Sequence, residues 1–433
     1  MPALASRSEF LSVVAESHLL EAGTLDSLRA DESLPENPRE IAELLIQKGL
    51  LTRFQAKHLL AGKYRGFVLG PYRLMNQIGR GGMGTVYMCE HSAHKVRVAL
   101  KVLSPEMAES KVAVERFLRE ARSASALSHP NIVRVHHVGQ SGGTHYIVME
   151  FVEGATLEQV VDRKGPFTLA EAAKIAIQVA AGLQHAHERG FVHRDIKPDN
   201  LMVTKGGQIK ILDMGLTKSV KNAADNLTGV LNTKTILGTL DYLSPEQAIQ
   251  NDVSAQSDIY SLGATIFMLL TGHSPYDGVP ANQKLMQHQF GQVPNLVDFR
   301  SEAPAEFAAI LSKMMAKKPE DRFKSMADVA AALQPWAMAD GQSAKLSLPS
   351  RVMANPTAQS QTPTVRDAAN ATSSDAKPAP QIQVAPPATP PVVVAAPEPV
   401  RKRKRLDAKS IAFLVLLGLA CAVGLGIAIS QLF

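Results

Sequence analysis

At 433 residues the chain exceeds one ordinary domain, and its composition, with 45% hydrophobic and 20% charged residues, is that of a globular protein. The formal net charge of +6 is modest, and much of the excess lies in one run, 401–405, with no interleaved aromatic residues. We therefore expect no nucleic-acid binding. The two cysteines, Cys89 and Cys421, lie far apart, which excludes a disulfide framework and a cysteine-based metal site.

Residues 1–65 carry apolar side chains at helical spacing, in two groups: Phe10, Val13, Val14 and Leu20, then Ile41, Leu44 and Leu45. Thr52 is placed to cap a further helix that runs through Leu60. We predict a small bundle of three or four helices. It contains no motif with a mechanism, so two interpretations stay open. The bundle is either a protein-interaction or regulatory module, or a helical extension that packs on the domain that follows.

A glycine-rich run comes next, with Gly79, Gly81 and Gly84 in the pattern Gly-x-Gly-x-x-Gly. Glycines let the backbone approach phosphates closely and turn its amides toward them. Dinucleotide-binding folds use the same pattern, but there a helix follows at once. Here residues 86–88 and 96–102 are typical of a β-hairpin instead.

The second strand of this hairpin contains Val-Ala-Leu-Lys, ending at Lys101. It closely matches a strand motif whose lysine pairs with the α- and β-phosphates of a nucleotide. Residues 112–127 then carry apolar side chains at helical spacing. Glu120 lies on this predicted helix. Alone it would be a solvated carboxylate, but with Lys101 present we interpret it as the ion-pair partner of that lysine.

Residues 193–200 read His-Arg-Asp-Ile-Lys-Pro-Asp-Asn, the form of a phosphoryl-transfer loop. In such a loop Asp195 accepts the proton of the attacking hydroxyl and Asn200 holds a magnesium ion. Asp213 follows in Leu-Asp-Met-Gly at the end of an apolar strand, where a carboxylate chelates magnesium. Ser-Pro-Glu at 244–246 closes the segment after it.

With these motifs in this order, residues 72–336 resemble the eukaryotic-type (Hanks-type) Ser/Thr protein kinases, most closely their bacterial membrane-bound members. The resemblance implies an α+β, two-lobed protein kinase fold. It also implies ATP and Mg²⁺ as cofactors and transfer of the ATP γ-phosphoryl group to a serine or threonine of a protein.

The resemblance further implies roles for individual residues. Lys197 marks Ser/Thr kinases and contacts the γ-phosphate, and Thr239 bonds to the pair that Lys197 forms with Asp195. Asp258 positions the loop at residues 193–200, called the catalytic loop below, and Arg322 pairs with Glu246. In the adenine pocket that the resemblance implies, Met149 is the gatekeeper, and the backbone of the hinge residues Glu150 and Val152 hydrogen-bonds to the adenine. The apolar side chains that enclose the adenine are those of Val86, Ala99 and Met202.

Two residues depart from the family pattern. Met214 replaces phenylalanine, which leaves the chelating carboxylate intact but puts regulation in doubt. Ser244 replaces alanine, a small-for-small change. Regulation is expected where Arg194 receives a phosphate from the activation segment, with Thr233 and Thr235 as the favoured autophosphorylation sites.

Residues 337–400 are rich in Pro, Ala, Ser and Thr and predict a disordered linker. A basic juxtamembrane segment, 401–409, precedes an apolar stretch, 410–430, long enough to cross a bilayer once. The basic run places the kinase on the cytoplasmic side of the cell (plasma or inner) membrane. Small residues recur every fourth position along this helix in two series, Gly418, Ala422 and Gly426, and Ala420, Gly424 and Ala428. They allow either a homodimer or a helix that only anchors the chain.

Two alternative functions make different predictions. A catalytically weak kinase-fold membrane scaffold would be expected to lack a catalytic residue, yet four are present: Lys101, Asp195, Asn200 and Asp213. A kinase of small molecules such as aminoglycosides would lack the activation segment and its Ser-Pro-Glu closure.

Overall fold

The structure, a computed structural model, describes residues 4–214, 240–249 and 253–338, without the side chains of Glu120 and Ser123. The predicted phosphorylation sites Thr233 and Thr235, and also Thr239, lie outside the described residues. The same holds for the linker from residue 339 onward, the basic segment 401–409 and the predicted span 410–430. No helix within the described ranges is both long enough and apolar enough to cross a membrane.

Four helices are found in the described part of residues 1–65: α1 (Arg7–Glu16), α2 (Ala22–Ala30), α3 (Pro38–Gln47) and α4 (Arg53–Leu60). Their apolar faces meet in one cluster, in which Phe10, Ile41 and Leu59 are fully buried. Asn37 caps α3, and Thr52 caps α4 through a reciprocal capping box with Gln55.

A six-stranded antiparallel sheet follows. Its strands are β1 (Val68–Leu69), β2 (Tyr72–Gly81), β3 (Gly84–His91), β4 (Arg97–Leu103), β5 (Val135–Ser141) and β6 (Thr144–Glu150), in the order β1-β2-β3-β4-β6-β5. Two helices, α5 (Pro105–Ala108) and α6 (Lys111–Ser125), connect β4 to β5. Phe117 and Ala121 of α6 pack on one face of the sheet. Phe54 of α4 packs against the cluster that contains Tyr72 and Leu74.

The remaining described residues are mainly helical. A small antiparallel sheet is formed by β7 (Gly154–Thr156), β8 (Leu201–Thr204) and β9 (Ile209–Ile211). The helices are α7 (Leu157–Lys164), α8 (Leu169–His187), α9 (Pro245–Ala248), α10 (Ala255–Thr271), α11 (Ala281–Phe290), α12 (Leu296–Phe299), α13 (Ala305–Met314) and α14 (Met326–Ala337). Helix α10 is buried from Ser257 to Leu270, because the other helices surround it. The six-stranded sheet with α5 and α6 forms one lobe, and the mainly helical part that follows forms the second lobe, called the helical lobe below. The predicted two-lobed α+β architecture is confirmed.

Candidate active site

The glycine-rich run forms the tip of the β2–β3 hairpin, where Gly81 lies opposite Gly84 and Gly79 opposite Val86. A Cβ atom on Gly84 would clash with the carbonyl oxygen of Val102 on β4, so the close approach of β3 to β4 requires glycine there. The amide of Ser104 donates to the carbonyl of Met83 at 3.0 Å and ties the tip to the end of β4. The three predicted phosphate-binding glycines therefore lie together on one hairpin.

Lys101 lies on β4 and is only 9% exposed. Its Nζ lies 3.0 Å from Oδ1 of Asp213. The backbone of Asp213 is left-handed, with φ 53°. Glu120, the predicted partner of Lys101, lies on α6, but its side chain is outside the described residues. The contact that the structure shows, between Lys101 and Asp213, was not predicted from the sequence.

Asp195, Lys197 and Asn200 are in direct contact. The Asn200 amide donates from Nδ2 to Oδ2 of Asp195 at 2.9 Å and to the Asp195 carbonyl at 2.8 Å. Lys197 places Nζ 3.2 Å from the same Oδ2. A 3₁₀ turn over Pro198–Asn200 brings the asparagine back toward the aspartate. The candidate base is therefore held by a cation and an amide donor.

The structure also relates this loop to Asp213. The backbone amide of Leu212 donates to the carbonyl of Asn200 at 2.9 Å. The amide nitrogen of Asn200 is directed at Asp195, which leaves its oxygen as the ligand atom. One carboxylate and one amide oxygen fit a magnesium ion, which commonly takes one or two carboxylates and completes its shell with phosphate oxygens and water. Asn200 and Asp213 are the residues that would hold it.

Asp258 of α10 determines the backbone conformation of the catalytic loop. Its fully buried carboxylate accepts hydrogen bonds from the amides of His193 and Arg194, both at 2.8 Å, and lies 2.7 Å from Nε2 of His187. Arg194 has a left-handed backbone, φ 69°, and an exposed side chain. Gln247 donates to the Arg194 carbonyl at 2.8 Å. Asp258 was expected in this role from the resemblance, whereas His187 and Gln247 were not predicted.

The connection between the lobes is the segment 151–153, between β6 and β7. The predicted adenine-pocket residues lie in it and on the strands that flank it. Val86 is on β3 and Ala99 on β4, opposite Met149 of β6. Glu150 ends β6, Val152 follows it in the connection, and Met202 lies on β8 of the second lobe. The structure therefore distributes these residues over both lobes.

One ion pair at this connection was not predicted from the sequence. Lys210 of β9 is 9% exposed, and its Nζ lies 2.7 Å and 2.9 Å from the two carboxylate oxygens of Glu150. The amide of Glu150 donates to the carbonyl of Arg134, and the amide of Arg134 donates to the Glu150 carboxylate. Strand β9 leads directly to Asp213. The pair therefore links the connection between the lobes to the strand that leads to Asp213.

A second unpredicted feature is a pair of carboxylates beside the catalytic loop. Glu158, in the first turn of α7, hydrogen-bonds to Asp199, and this bond raises the pKa of Glu158 to about 8. Burial and the negative charges of Asp199 and Asp162 act in the same direction. The raised pKa favours the protonated form of Glu158 at neutral pH.

Glu246 and Arg322 form a buried, two-pronged ion pair, with N–O distances of 2.8 Å and 2.9 Å. Ser257 donates to the same carboxylate at 2.6 Å. Burial raises the pKa of Glu246, but the hydrogen bonds and charge of Arg322, with the Ser257 bond, outweigh burial and hold it below its usual value. The pair expected from the resemblance is thus present, and it fixes α9 to the helical lobe.

Comparison with protein families matches residues 72–335 to the protein kinase domain. The serine/threonine-protein kinase PrkC of Bacillus subtilis is 38% identical over 264 residues, 61% of this chain and 40% of PrkC. The serine/threonine-protein kinase PknH of Mycobacterium tuberculosis is 36% identical over 267 residues, 62% of this chain and 42% of PknH. The match thus spans less than half the length of these relatives.

Solved structures give the same result for the fold. The crystal structure of the Mycobacterium tuberculosis PknI kinase domain is similar with a TM-score of 0.50 and 32% sequence identity. The similarity covers 63% of this chain and 98% of that domain.

Proposed function

Because this chain belongs to the protein kinase family, with a serine/threonine protein kinase domain at residues 72–335, we propose that the protein transfers the γ-phosphoryl group of ATP to serine or threonine residues of other proteins. The observation that carries the proposal is the contact of Lys197 and Asn200 with Asp195. It provides a base, a cation and a metal-binding amide within one loop.

The roles follow from this arrangement. Asp195 receives the proton of the substrate hydroxyl, and Lys197 beside it offsets the negative charge of the γ-phosphate. Lys101 and the glycine hairpin hold the remaining phosphates. Magnesium, when bound by Asn200 and Asp213, supplies further charge neutralisation. Most of the rate enhancement then comes from positioning and from groups already directed at the developing charge.

The direct test is transfer of label from γ-labelled ATP to a generic protein substrate, scored on phosphoserine and phosphothreonine. Nucleotide binding without transfer would favour the catalytically weak scaffold. Label on an aminoglycoside, with none on protein, would favour the small-molecule kinase. Either outcome overturns the proposal.

Replacing Lys210 with methionine tests the ion pair at the connection between the lobes. The substitution keeps most of the side-chain volume but removes both contacts with Glu150. We expect ATP binding to weaken about tenfold, which corresponds to about 1.4 kcal/mol, because the connection is no longer fixed relative to β9. The measurement is the ATP dissociation constant. Lys205→Met is the matched control, since Lys205 is largely exposed and its Nζ lies 4.0 Å from the Glu153 carboxylate. Equal affinity in both variants would contradict the role of the pair.

We also propose that residues 1–65 are a helical module, 337–400 a linker, and 410–430 a membrane helix that keeps the kinase domain cytoplasmic. The support is the uncharged apolar run that follows the basic segment 401–409. If two such helices pair through their small residues, the tethered kinase domains meet at a high effective concentration and phosphorylate each other at Thr233 and Thr235.

Isoleucine at Gly418, Ala422 and Gly426 tests this link. We expect the triple substitution to lower phosphorylation of Thr233 and Thr235 in membranes, as measured by mass spectrometry, because the bulky side chains prevent close helix approach. Isoleucine at three apolar positions off this stripe is the control: Leu416, Leu417 and Val423. Unchanged phosphorylation and cross-linking in the triple variant would reduce the helix to an anchor.

A further inference from the structure

The four-helix module contacts the kinase lobe at a specific place, the start of α4 against β2. Two buried polar side chains make this contact: Thr52, 7% exposed, and Gln55, 2% exposed. The Thr52 hydroxyl donates to the carbonyl of Met75 at 2.7 Å. The Gln55 amide donates from Nε2 to the carbonyl of Leu74, also at 2.7 Å.

The same two side chains form the cap of α4. The amide of Thr52 donates to Oε1 of Gln55 at 2.8 Å, and the amide of Gln55 donates to the Thr52 hydroxyl at 3.2 Å. Each side chain thus bonds at once to its own helix and to the strand. Their orientation is set by the helix, so the two strand carbonyls are held in a fixed place relative to α4.

Met75 lies at an irregularity in the hairpin. Leu74 pairs with Cys89, but the next pair along β3 is Asn76 with Met88, so Met75 has no partner across the ladder. A strand bends at such a bulge, and the bulged residue drops out of the hydrogen-bond ladder. Here α4 supplies the donor that β3 does not. The helix therefore contacts the strand at the point where its direction is set.

Helix α4 also contacts the second strand of the hairpin. The ring of Phe54 lies 6.1 Å from that of Tyr87 on β3, and Tyr87 lies opposite Gln77 of β2. The hairpin beyond this point leads to its tip at Gly81 and Gly84. A change of direction at the bulge displaces the tip most, because the tip is the far end of the bent segment.

We propose that Thr52 and Gln55 are positioning residues for phosphoryl transfer, through which the N-terminal module sets the direction of the glycine-rich hairpin over the ATP phosphates. This inference rests on the proposed function. It gives residues 1–65 a role within the chain itself. It also favours the second interpretation of the module, a helical extension that packs on the following domain.

The test uses the full chain with Thr52→Val and Gln55→Leu, singly and together. Both substitutions keep the side-chain volume and remove the bonds to the strand. We expect the KM for ATP to rise about fivefold or more, with a smaller change in kcat for protein substrate at saturating ATP. Thr52→Ser keeps the hydroxyl and should restore the original KM.

Asn37→Ala is the matched control. Asn37 caps α3 by accepting from the amide of Arg39 at 3.0 Å, without a contact to the strand among its described bonds. The substitution Asn37→Ala therefore removes a helix cap from the same module, and its effect on KM measures the loss of helix stability alone. A KM that rises as much in Asn37→Ala as in the contact variants would overturn the positioning role.

Hydrogen exchange of residues 76–88 provides a second readout that needs no catalysis. We expect faster exchange in this hairpin for Thr52→Val and Gln55→Leu, but not for Asn37→Ala. Phe54→Leu, a change at the same contact that leaves both hydrogen bonds to the strand in place, covers the case in which Thr52→Val or Gln55→Leu does not fold. Unchanged exchange and unchanged KM in folded variants would overturn the inference. Absence of transfer in the original chain would instead overturn the proposed function, and the exchange measurement would still decide the positioning role.

Discussion

Replacing Asp195 with asparagine is expected to lower phosphoryl transfer at least about hundredfold, because proton acceptance by a positioned base contributes about 10²–10⁴ in rate. The shape of the side chain is kept, and the loop remains held by Asp258. Lys101→Met is expected to have a similar effect for another reason. It removes the cation that lies 3.0 Å from Asp213 and that, in the proposed function, pairs with the ATP phosphates.

Initial rates of label transfer, measured beside the thermal unfolding of each variant, check this result. Asp298→Asn is the control, because Asp298 is an exposed residue of α12, remote in sequence from the catalytic loop. Turnover within about tenfold of the original chain in either variant would contradict the catalytic roles, since tenfold is only about 1.4 kcal/mol of barrier.

The largest effect on stability is expected at Arg322. Arg322→Met leaves the carboxylate of Glu246 buried without its counter-charge, and breaking a buried pair in this way costs about 3–5 kcal/mol. Denaturant unfolding of the two chains measures the difference. Arg29→Met is the control. Its pair with Asp26 is exposed and 3.9 Å long, and such a pair contributes at most about 1 kcal/mol. A loss below about 1 kcal/mol at Arg322 would contradict the expectation.

The same pair predicts a pH dependence with a definite sign. The pKa of Glu246 is lower in the folded state than in the unfolded chain. Its contribution to stability is therefore complete above the unfolded value of about 4.3 and is lost as the pH falls through the folded value. The free-energy difference between the original chain and Glu246→Gln should be constant near neutral pH and shrink below about pH 4. A difference that grows on acidification would contradict this assignment.

The sequence predicted best those features that contiguous residues determine. Asp195, Lys197 and Asn200 lie within six positions of each other, and Pro198 favours the turn that brings them together. The glycine-rich hairpin could also be predicted from the sequence, because alternating apolar and polar residues and turn-forming residues specify both strands locally.

Contacts between residues far apart in the sequence could not be predicted in the same way. Lys210 and Glu150 are both ordinary residues of apolar strands, and nothing near them in sequence indicates a buried ion pair. Their meeting depends on how β6 and β9 are placed by the two lobes. The contact of Lys101 with Asp213 has the same origin, since it requires both the β4 register and the left-handed backbone at Asp213.

Thr52 shows both results at one residue. Its helix-capping role was predicted from residue type and position, because a cap depends on a few neighbouring residues. Its second hydrogen bond, to Met75, depends on a one-residue irregularity in the pairing of β2 with β3. Sequence alternation gives no signal for such an irregularity.

Phe54 packs against two hydrophobic clusters, that of the four helices and that of the outer sheet face, and its ring lies 6.3 Å from Phe67. The family match begins at residue 72, yet the apolar interior continues back across that position. A fragment that begins at Tyr72 would expose apolar surface to water. It would also leave the carbonyls of Leu74 and Met75 without the donors that Gln55 and Thr52 supply. Such a fragment is expected to aggregate. A fragment that keeps this interior covered therefore includes the four helices α1 to α4.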